Sequence, residues 1–151
     1  TTGSGSDIIV GDNGAVTFAA GTLSGGIATR IETTDVDDSV GGNDTIDSGE
    51  GDNQILGGSG EDTITAGSGQ DHVIGDHGVL EFTDQGQLTR AAATLEQYGG
   101  ADQLMVGDGN NVVIGGQGSD TIDGGVGNDI VVGDGGEATF TADGDRINIS
   151  S

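Results

Sequence analysis

Gly57-Gly58-Ser59-Gly60-Glu61-Asp62-Thr63-Ile64-Thr65 and Gly115-Gly116-Gln117-Gly118-Ser119-Asp120-Thr121-Ile122-Asp123 are two copies of one nine-residue pattern, G-G-x-G-x-D-x-U-x, where U is large and apolar. The aspartate place recurs every nine residues at Asp44, Asn53, Asp62 and Asp71, and again at Asp102, Asn111, Asp120 and Asp129. Asp7 stands in the same motif position. Two residues after each of these nine comes Ile9, Ile46, Ile55, Ile64, Val73, Leu104, Val113, Ile122 or Val131. A fixed short period with one apolar place per unit describes stacked short strands, each pointing its middle side chain inward. The β-branched majority suits a narrow stack. The glycines fall where the backbone must turn sharply between strands.

Composition excludes an ordinary core. The 151 residues include 33 Gly, no Pro, no Cys and no Trp, and only 31% are hydrophobic. Twenty-six acidic residues face three basic ones, for a formal charge of −23. Such a chain repels itself unless a cation compensates it. The same charge argues against nucleic acid, whose phosphates it would repel. No cysteine means no disulfide and no thiolate zinc site. No apolar run reaches the roughly 18 residues of a membrane span, so no membrane insertion is expected. The first residue is Thr1 rather than Met, and no signal peptide is visible. The chain therefore reads as a piece of a longer protein, with any secretion signal elsewhere.

The repeated aspartates supply hard, charged oxygens, and the glycine-rich turns supply carbonyls. Ca²⁺ takes about 6–8 such oxygens at about 2.3–2.6 Å, whereas Mg²⁺ demands a tighter octahedron and keeps its waters. Calcium ions are thus the expected cofactor and partner. Binding to the turns would convert binding energy into folding energy.

A longer period lies above the nonapeptide. Asp7, Asp71 and Asp129 each open a copy of the same stretch, and each copy ends in a short Gly-Asp-x-Gly turn at Asp12, Asp76 or Asp134. Hairpin-like segments follow: Ala15-Val16-Thr17-Phe18, Val79-Leu80-Glu81-Phe82 and Glu137-Ala138-Thr139-Phe140. Turn signals come next at Gly21, Asp84-Gln85-Gly86 and Asp143-Gly144, and then a second strand carrying Arg30, Arg90 or Arg146. Residues 87–97 carry Ala91, Ala92 and Ala93, a helix-like run, but their place after the turn favours strand.

These motifs resemble the calcium-binding RTX (repeats-in-toxin), hemolysin-type nonapeptide family over about two-thirds of the chain. The resemblance implies an all-β, right-handed parallel β-roll (a β-solenoid) stabilised by several calcium ions; the three β-hairpin excursions read above lie outside it. The whole of 1–151 is then one domain. Its roll segments lie at about 3–14, 39–78 and 97–136, and its excursions at about 15–38, 79–96 and 137–151. In that family calcium sits between turns 18 residues apart. The implied pairs are Asp44 with Asp62, Asn53 with Asp71, Asp102 with Asp120, and Asn111 with Asp129. Asp7 is a further ligand by motif position, and Asp12, Asp76 and Asp134 are added from the shorter turns. Asn53 and Asn111 depart from the family aspartate and make less anionic sites.

Alternate nonapeptides would form opposite sheets. One outward face is polar, with Thr45, Asp47, Thr63, Thr65, Gln103, Met105, Thr121 and Asp123. The other is largely apolar, with Leu56, Ile74, Val112, Ile114, Ile130 and Val132 among its residues. A patch of that kind needs a cover. The three excursions, through Phe18, Phe82 and Phe140, are expected to provide it; otherwise the face binds a partner.

Other chemistry finds little support. His72 and His77 lack the further ligands zinc needs. Asp35, Asp37 and Asp38 lack the glycine and helices of an EF-hand, although Asp35 lies nine residues before Asp44. There is no G-x-S-x-G elbow. The expected function is non-enzymatic: a calcium-binding structural segment of a secreted bacterial protein, folding outside the cell after type I secretion. The alternatives are an adhesin's recognition module, binding a surface or protein through the hairpins, and an accessory repeat domain of a toxin or hydrolase. The oligomeric state is open, since each end of such a stack presents an unpaired strand.

Overall fold

The computed structural model describes residues 2–20, 26–37, 39–95 and 97–151. The turn expected at Gly21 and the acidic Asp38 lie outside the described residues. Among the described residues there is no helix.

The nonapeptides alternate between two parallel sheets. The first runs β1 (Gly3–Ser4), β5 (Thr45–Glu50), β7 (Thr63–Ala66), β11 (Gln103–Met105), β13 (Thr121–Asp123). The second runs β2 (Ile8–Val10), β6 (Gln54–Leu56), β8 (His72–Ile74), β12 (Val112–Ile114), β14 (Ile130–Val132). Register follows the repeat. Ile46 pairs with Ile64, Ile64 with Leu104, and Leu104 with Ile122. In the second sheet the column is Ile9, Ile55, Val73, Val113, Val131. Both sheets therefore run through the points where the chain leaves them: β7 pairs directly with β11, and β2 with β6.

The inward side chains form one core between these sheets, with Ile55, Ile64, Val73, Leu104 and Val113 wholly buried. Val131 departs from the expected inward burial and is 47% exposed, because among the described residues β14 is the last strand of its sheet. The strand β1 also goes beyond the sequence reading. Its two residues lie in register with Gly49 and Glu50 at the end of β5.

The third sheet is antiparallel, in the order β16 (Arg146–Ser150), β15 (Glu137–Phe140), β10 (Leu88–Ala93), β9 (Gly78–Phe82), β4 (Ala28–Thr33), β3 (Gly14–Phe18). The alanine run at Ala91–Ala93 is strand, held by β9 on one side and β15 on the other. This sheet covers the apolar outer face of the second. Leu56, Ile74, Val112, Ile114 and Val132 are buried against Ile31, Leu80, Leu88, Ala91 and Ala138. Phe82 and Phe140 pack on this core as expected. Phe18 does not; it is 51% exposed, because β3 lies at the outer edge of its sheet. Phe82→Ser and Phe140→Ser should each lower stability in calcium by about 1–3 kcal/mol, whereas Phe18→Ser should stay within about 0.5 kcal/mol. Urea unfolding of the three variants checks this; equal losses at all three positions would refute it.

The polar outer face of the first sheet remains open, with Thr45, Asp47, Gln103, Met105, Thr121 and Asp123 exposed.

Candidate metal centre

Each aspartate position sits just before a strand, so stacking the strands stacks the carboxylates. One column is Asp44, Asp62, Asp102, Asp120, and the other is Asp7, Asn53, Asp71, Asn111, Asp129. One hydrogen bond repeats along both: the backbone N–H of each rung donates to the side-chain Oδ1 of the next. In the first column Asp44 donates to Asp62 at 2.8 Å, Asp62 to Asp102 at 2.8 Å, and Asp102 to Asp120 at 3.0 Å. In the second, Asp7 donates to Asn53, Asn53 to Asp71, Asp71 to Asn111, and Asn111 to Asp129, at 2.9–3.1 Å. The structure thus joins rungs that the 18-residue rule leaves apart: Asp7 with Asn53, Asp62 with Asp102, and Asp71 with Asn111. A glycine two residues before the aspartate place is common to all nine rungs, so local sequence held no signal that singled out these pairs.

The second oxygen of these carboxylates is the informative one. Oδ2 of Asp44, Asp62, Asp71, Asp102 and Asp120 is buried with no hydrogen-bond partner among the described residues. A buried polar atom left so is costly. In the first column each orphan faces a glycine turn. A Cβ on Gly57 would lie closer than 3.0 Å to both Gly75 O and Asp62 Oδ2; the same holds at Gly75 for Gly115 O and Asp102 Oδ2, and at Gly115 for Gly133 O and Asp120 Oδ2. A carboxylate oxygen and a main-chain carbonyl thus converge on space that a side chain would fill. Among the described residues no three His, Cys, Asp or Glu side chains gather as a metal cluster. A cation here must draw its remaining donors from carbonyls and water, which suits calcium and not zinc.

The second column differs. Asn53 Nδ2 donates to Gly51 O at 2.8 Å, and Asn111 Nδ2 to Gly107 O at 3.2 Å. The amide fills turn carbonyls that a cation would otherwise use. In the short turns, Asp12 Oδ2 accepts from Ser59 N–H at 2.6 Å. Asp76 accepts from Gly100 N–H at 2.9 Å through one oxygen and from Gln117 N–H through the other. Asp76 thus ties the chain returning from an excursion to the next turn, and both its oxygens are engaged. Asp134 is exposed at the end of the stack. Asp35 bonds Asn13 Nδ2 at 2.8 Å and joins neither column's hydrogen-bond ladder. His72 is buried against Phe82, and His77 lies 3.2 Å from Ser59 Oγ, so each histidine is packed within the protein.

Burial pushes the carboxyls upward from an ordinary value of 3.8: Asp62 to about 6, Asp76 to about 7 and Asp102 to about 8, with neighbouring carboxylates adding to the shift. Asp44, Asp71 and Asp120 are also raised, again chiefly by burial. A raised folded pKa contributes stability below 3.8 and loses it as pH climbs through about 6 to 8. Buried His72, lowered to about 4, acts in the opposite sense, but only below its ordinary 6.5. Without metal, the chain should therefore hold more β-structure at pH 6.5 than at pH 8.5. In saturating calcium the difference should vanish, because the bound ion holds the carboxylates ionised. Circular dichroism at both pH values, with and without EDTA, checks the sign.

A family model for the RTX calcium-binding nonapeptide repeat matches the chain in four copies, at residues 1–26, 38–76, 98–131 and 105–139. The chain belongs to the RTX calcium-binding nonapeptide repeat family. No curated protein and no solved structure matches it. The RTX repeat is a calcium-binding structural repeat, not a catalytic one, and calcium is the partner that its motif implies. The matched ranges contain every rung of both RTX columns, so the stacked carboxylates and the family assignment fall on the same residues.

Proposed function

We propose that this segment is a calcium-triggered folding unit: a single right-handed parallel β-roll domain with three hairpin excursions, belonging to a secreted bacterial RTX protein. The observation that carries this reading is the row of buried, partnerless Oδ2 atoms set against glycine carbonyls. A −23 chain that buries such oxygens needs a divalent cation to hold it together. Asp44, Asp62, Asp102 and Asp120 form the principal ligand column. Asp7, Asp71 and Asp129, with Asn53 and Asn111, form a second and weaker one, because the amides already occupy carbonyls. Asp12 and Asp134 are outer ligands. Asp76 contributes as a ligand through the lone pairs that its two backbone donors leave free.

With calcium scarce in the cytosol, the chain stays unfolded and threads a type I exporter; outside the cell, calcium folds it. The third sheet buries its apolar side against the second. A recognition role in an adhesin therefore falls to its other, charged side, where Arg30 and Arg90 pair with Glu81.

The test is far-UV circular dichroism at pH 8, from EDTA through a calcium titration, with magnesium as control. A steep, calcium-selective rise of β-structure is expected. Full β-structure in EDTA would sink the folding switch and leave a preformed scaffold.

A further inference from the structure

The outer face of the second sheet is apolar except at one place. Its two outward columns run Ile8, Gln54, His72, Val112, Ile130 and Val10, Leu56, Ile74, Ile114, Val132. The latter is apolar throughout and packs under the third sheet. The former is broken by two polar side chains on adjacent rungs, Gln54 and His72. Beside these rungs, among the described residues, a hollow of about 300 Å³ opens between the second and third sheets, and a smaller one of about 80 Å³ shares Gln70 and His72 with it. One wall of the larger hollow is polar, with Asp52, Gln54, Gln70 and His72 from β6, β8 and the turns before them. The facing wall is apolar, with Phe82 of β9 and Ile27 just before β4. The polar wall stands on interior strands, with β2 on one side and β12 on the other.

His72 is the informative residue. It is 7% exposed, and its Nδ1 is buried without a hydrogen-bond partner among the described residues. Its ring leans on Phe82, with centroids 5.8 Å apart. An apolar side chain, as this column has at Ile8, Val112 and Ile130, would leave no polar atom stranded there. A polar group held at that cost beside a hollow finds its use in what enters the hollow.

We propose that the hollow binds a single residue of an uncharged sugar, its hydroxyls toward the polar wall and its C–H face toward Phe82 and Ile27. The lining selects that chemistry. About 300 Å³ is the small end of ligand sites and suits one ring. An anion finds no lysine or arginine in the lining, on a chain of formal charge −23. A wholly apolar ligand would leave the carboxylate, the amides and the imidazole unmatched. An ammonium could use Asp52, but it has donors only and accepts nothing from the imidazole N–H or the amide groups. A hydroxyl both donates and accepts, so one sugar ring can serve all four side chains. The rim is already fixed: Gln70 N–H donates to Asp52 Oδ1 at 2.8 Å, and Gln54 Nε2 donates to Asp52 O at 2.8 Å. A rim held in place before binding lowers the entropy lost on binding. The hollow lies between strands whose turns calcium holds, so the site rests on the folding reading above.

NMR of the whole chain in saturating calcium tests the proposal, with glucose, galactose and N-acetylglucosamine as probes. The chain has two histidines, and the other is an internal control: His77 lies 3.2 Å from Ser59 Oγ and does not line the hollow. The expected result is a saturable shift of the His72 ring signals by at least one of these sugars, with those of His77 unmoved. Gln54→Ala should weaken the binding about threefold or more by the same readout. His72→Leu should abolish it, followed on the sugar's own signals by saturation transfer, and should unfold in urea no earlier than the parent. Were His72 there for packing alone, His72→Leu would lose stability and keep the binding. No saturable shift with any of the three sugars, in a chain that calcium has folded, overturns the site alone. A shift by ethylammonium equal to that by the sugars overturns the ligand class. A chain that calcium leaves unstructured overturns the folding reading and the site together.

Discussion

Gly75→Ala is expected to prevent calcium from completing the fold, while Gly133→Ala, the same change one column end away, is expected to do nothing to it. The difference is steric. A Cβ on Gly75 would overlap Asp102 Oδ2 and Gly115 O, one a proposed ligand and the other main chain, whereas a Cβ on Gly133 meets nothing within 4 Å. Neither neighbour of Gly75 can step aside: Asp102 is held through Oδ1 by Asp62 N–H, and Gly115 N–H donates to Val132 O at 2.8 Å. Turns wide enough to admit the methyl would break the β8–β12 ladder, whose Ile74–Ile114 pair lies immediately before these glycines. Overpacking alone costs about 1–3 kcal/mol, and loss of the ion adds to it, so about 3 kcal/mol or more is expected at Gly75, against about 0.5 kcal/mol or less at Gly133. Urea unfolding in saturating calcium measures both. A Gly75→Ala protein as stable as the parent would mean that the turns do not pack as described.

Asp102→Asn should change sign with calcium. The amide keeps an Oδ1 acceptor for Asp62 N–H and replaces the orphaned Oδ2 with a donor beside a glycine turn, the arrangement Asn53 and Asn111 already use. It also removes the carboxyl that burial raises furthest, to about 8, among those with a stated value. In EDTA at pH 8.5, where that carboxyl is mostly ionised, the variant should retain more β-structure than the parent. In calcium the loss of a charged ligand should raise the folding midpoint about tenfold or more and lower the number of ions bound. Circular dichroism and equilibrium dialysis, read together, separate the two effects. An unchanged calcium midpoint and an unchanged number of bound ions would remove Asp102 from the ligand set.

The repeat determined a great deal by itself. A nine-residue period with one apolar place fixes which side chains point inward, because a strand alternates sides every residue and a turn of constant length resets the phase; the core of Ile55, Ile64, Val73, Leu104 and Val113 follows from counting. The carboxylate columns follow in the same way, since stacking strands in register stacks whatever precedes them. The exposed polar face of the first sheet and the covered apolar face of the second were also legible, because burial on both sides removes alternation from a strand.

Only the tertiary structure decided the rest. That β7 pairs with β11 and β2 with β6 depends on how the excursions return, and local sequence does not encode the closure of a long loop. Phe82 and Phe140 are covered and Phe18 is not because of where β3 falls in the order of the third sheet, although all three share one motif position. Asp76 accepts from Gly100 and Gln117, which its short Gly-Asp-x-Gly turn did not announce, since two backbone N–H groups reach it from turns distant in sequence. Residue type supplied the oxygens. Which of them already accept from the backbone, and which lie buried without a partner among the described residues, is a property of the packed turns alone.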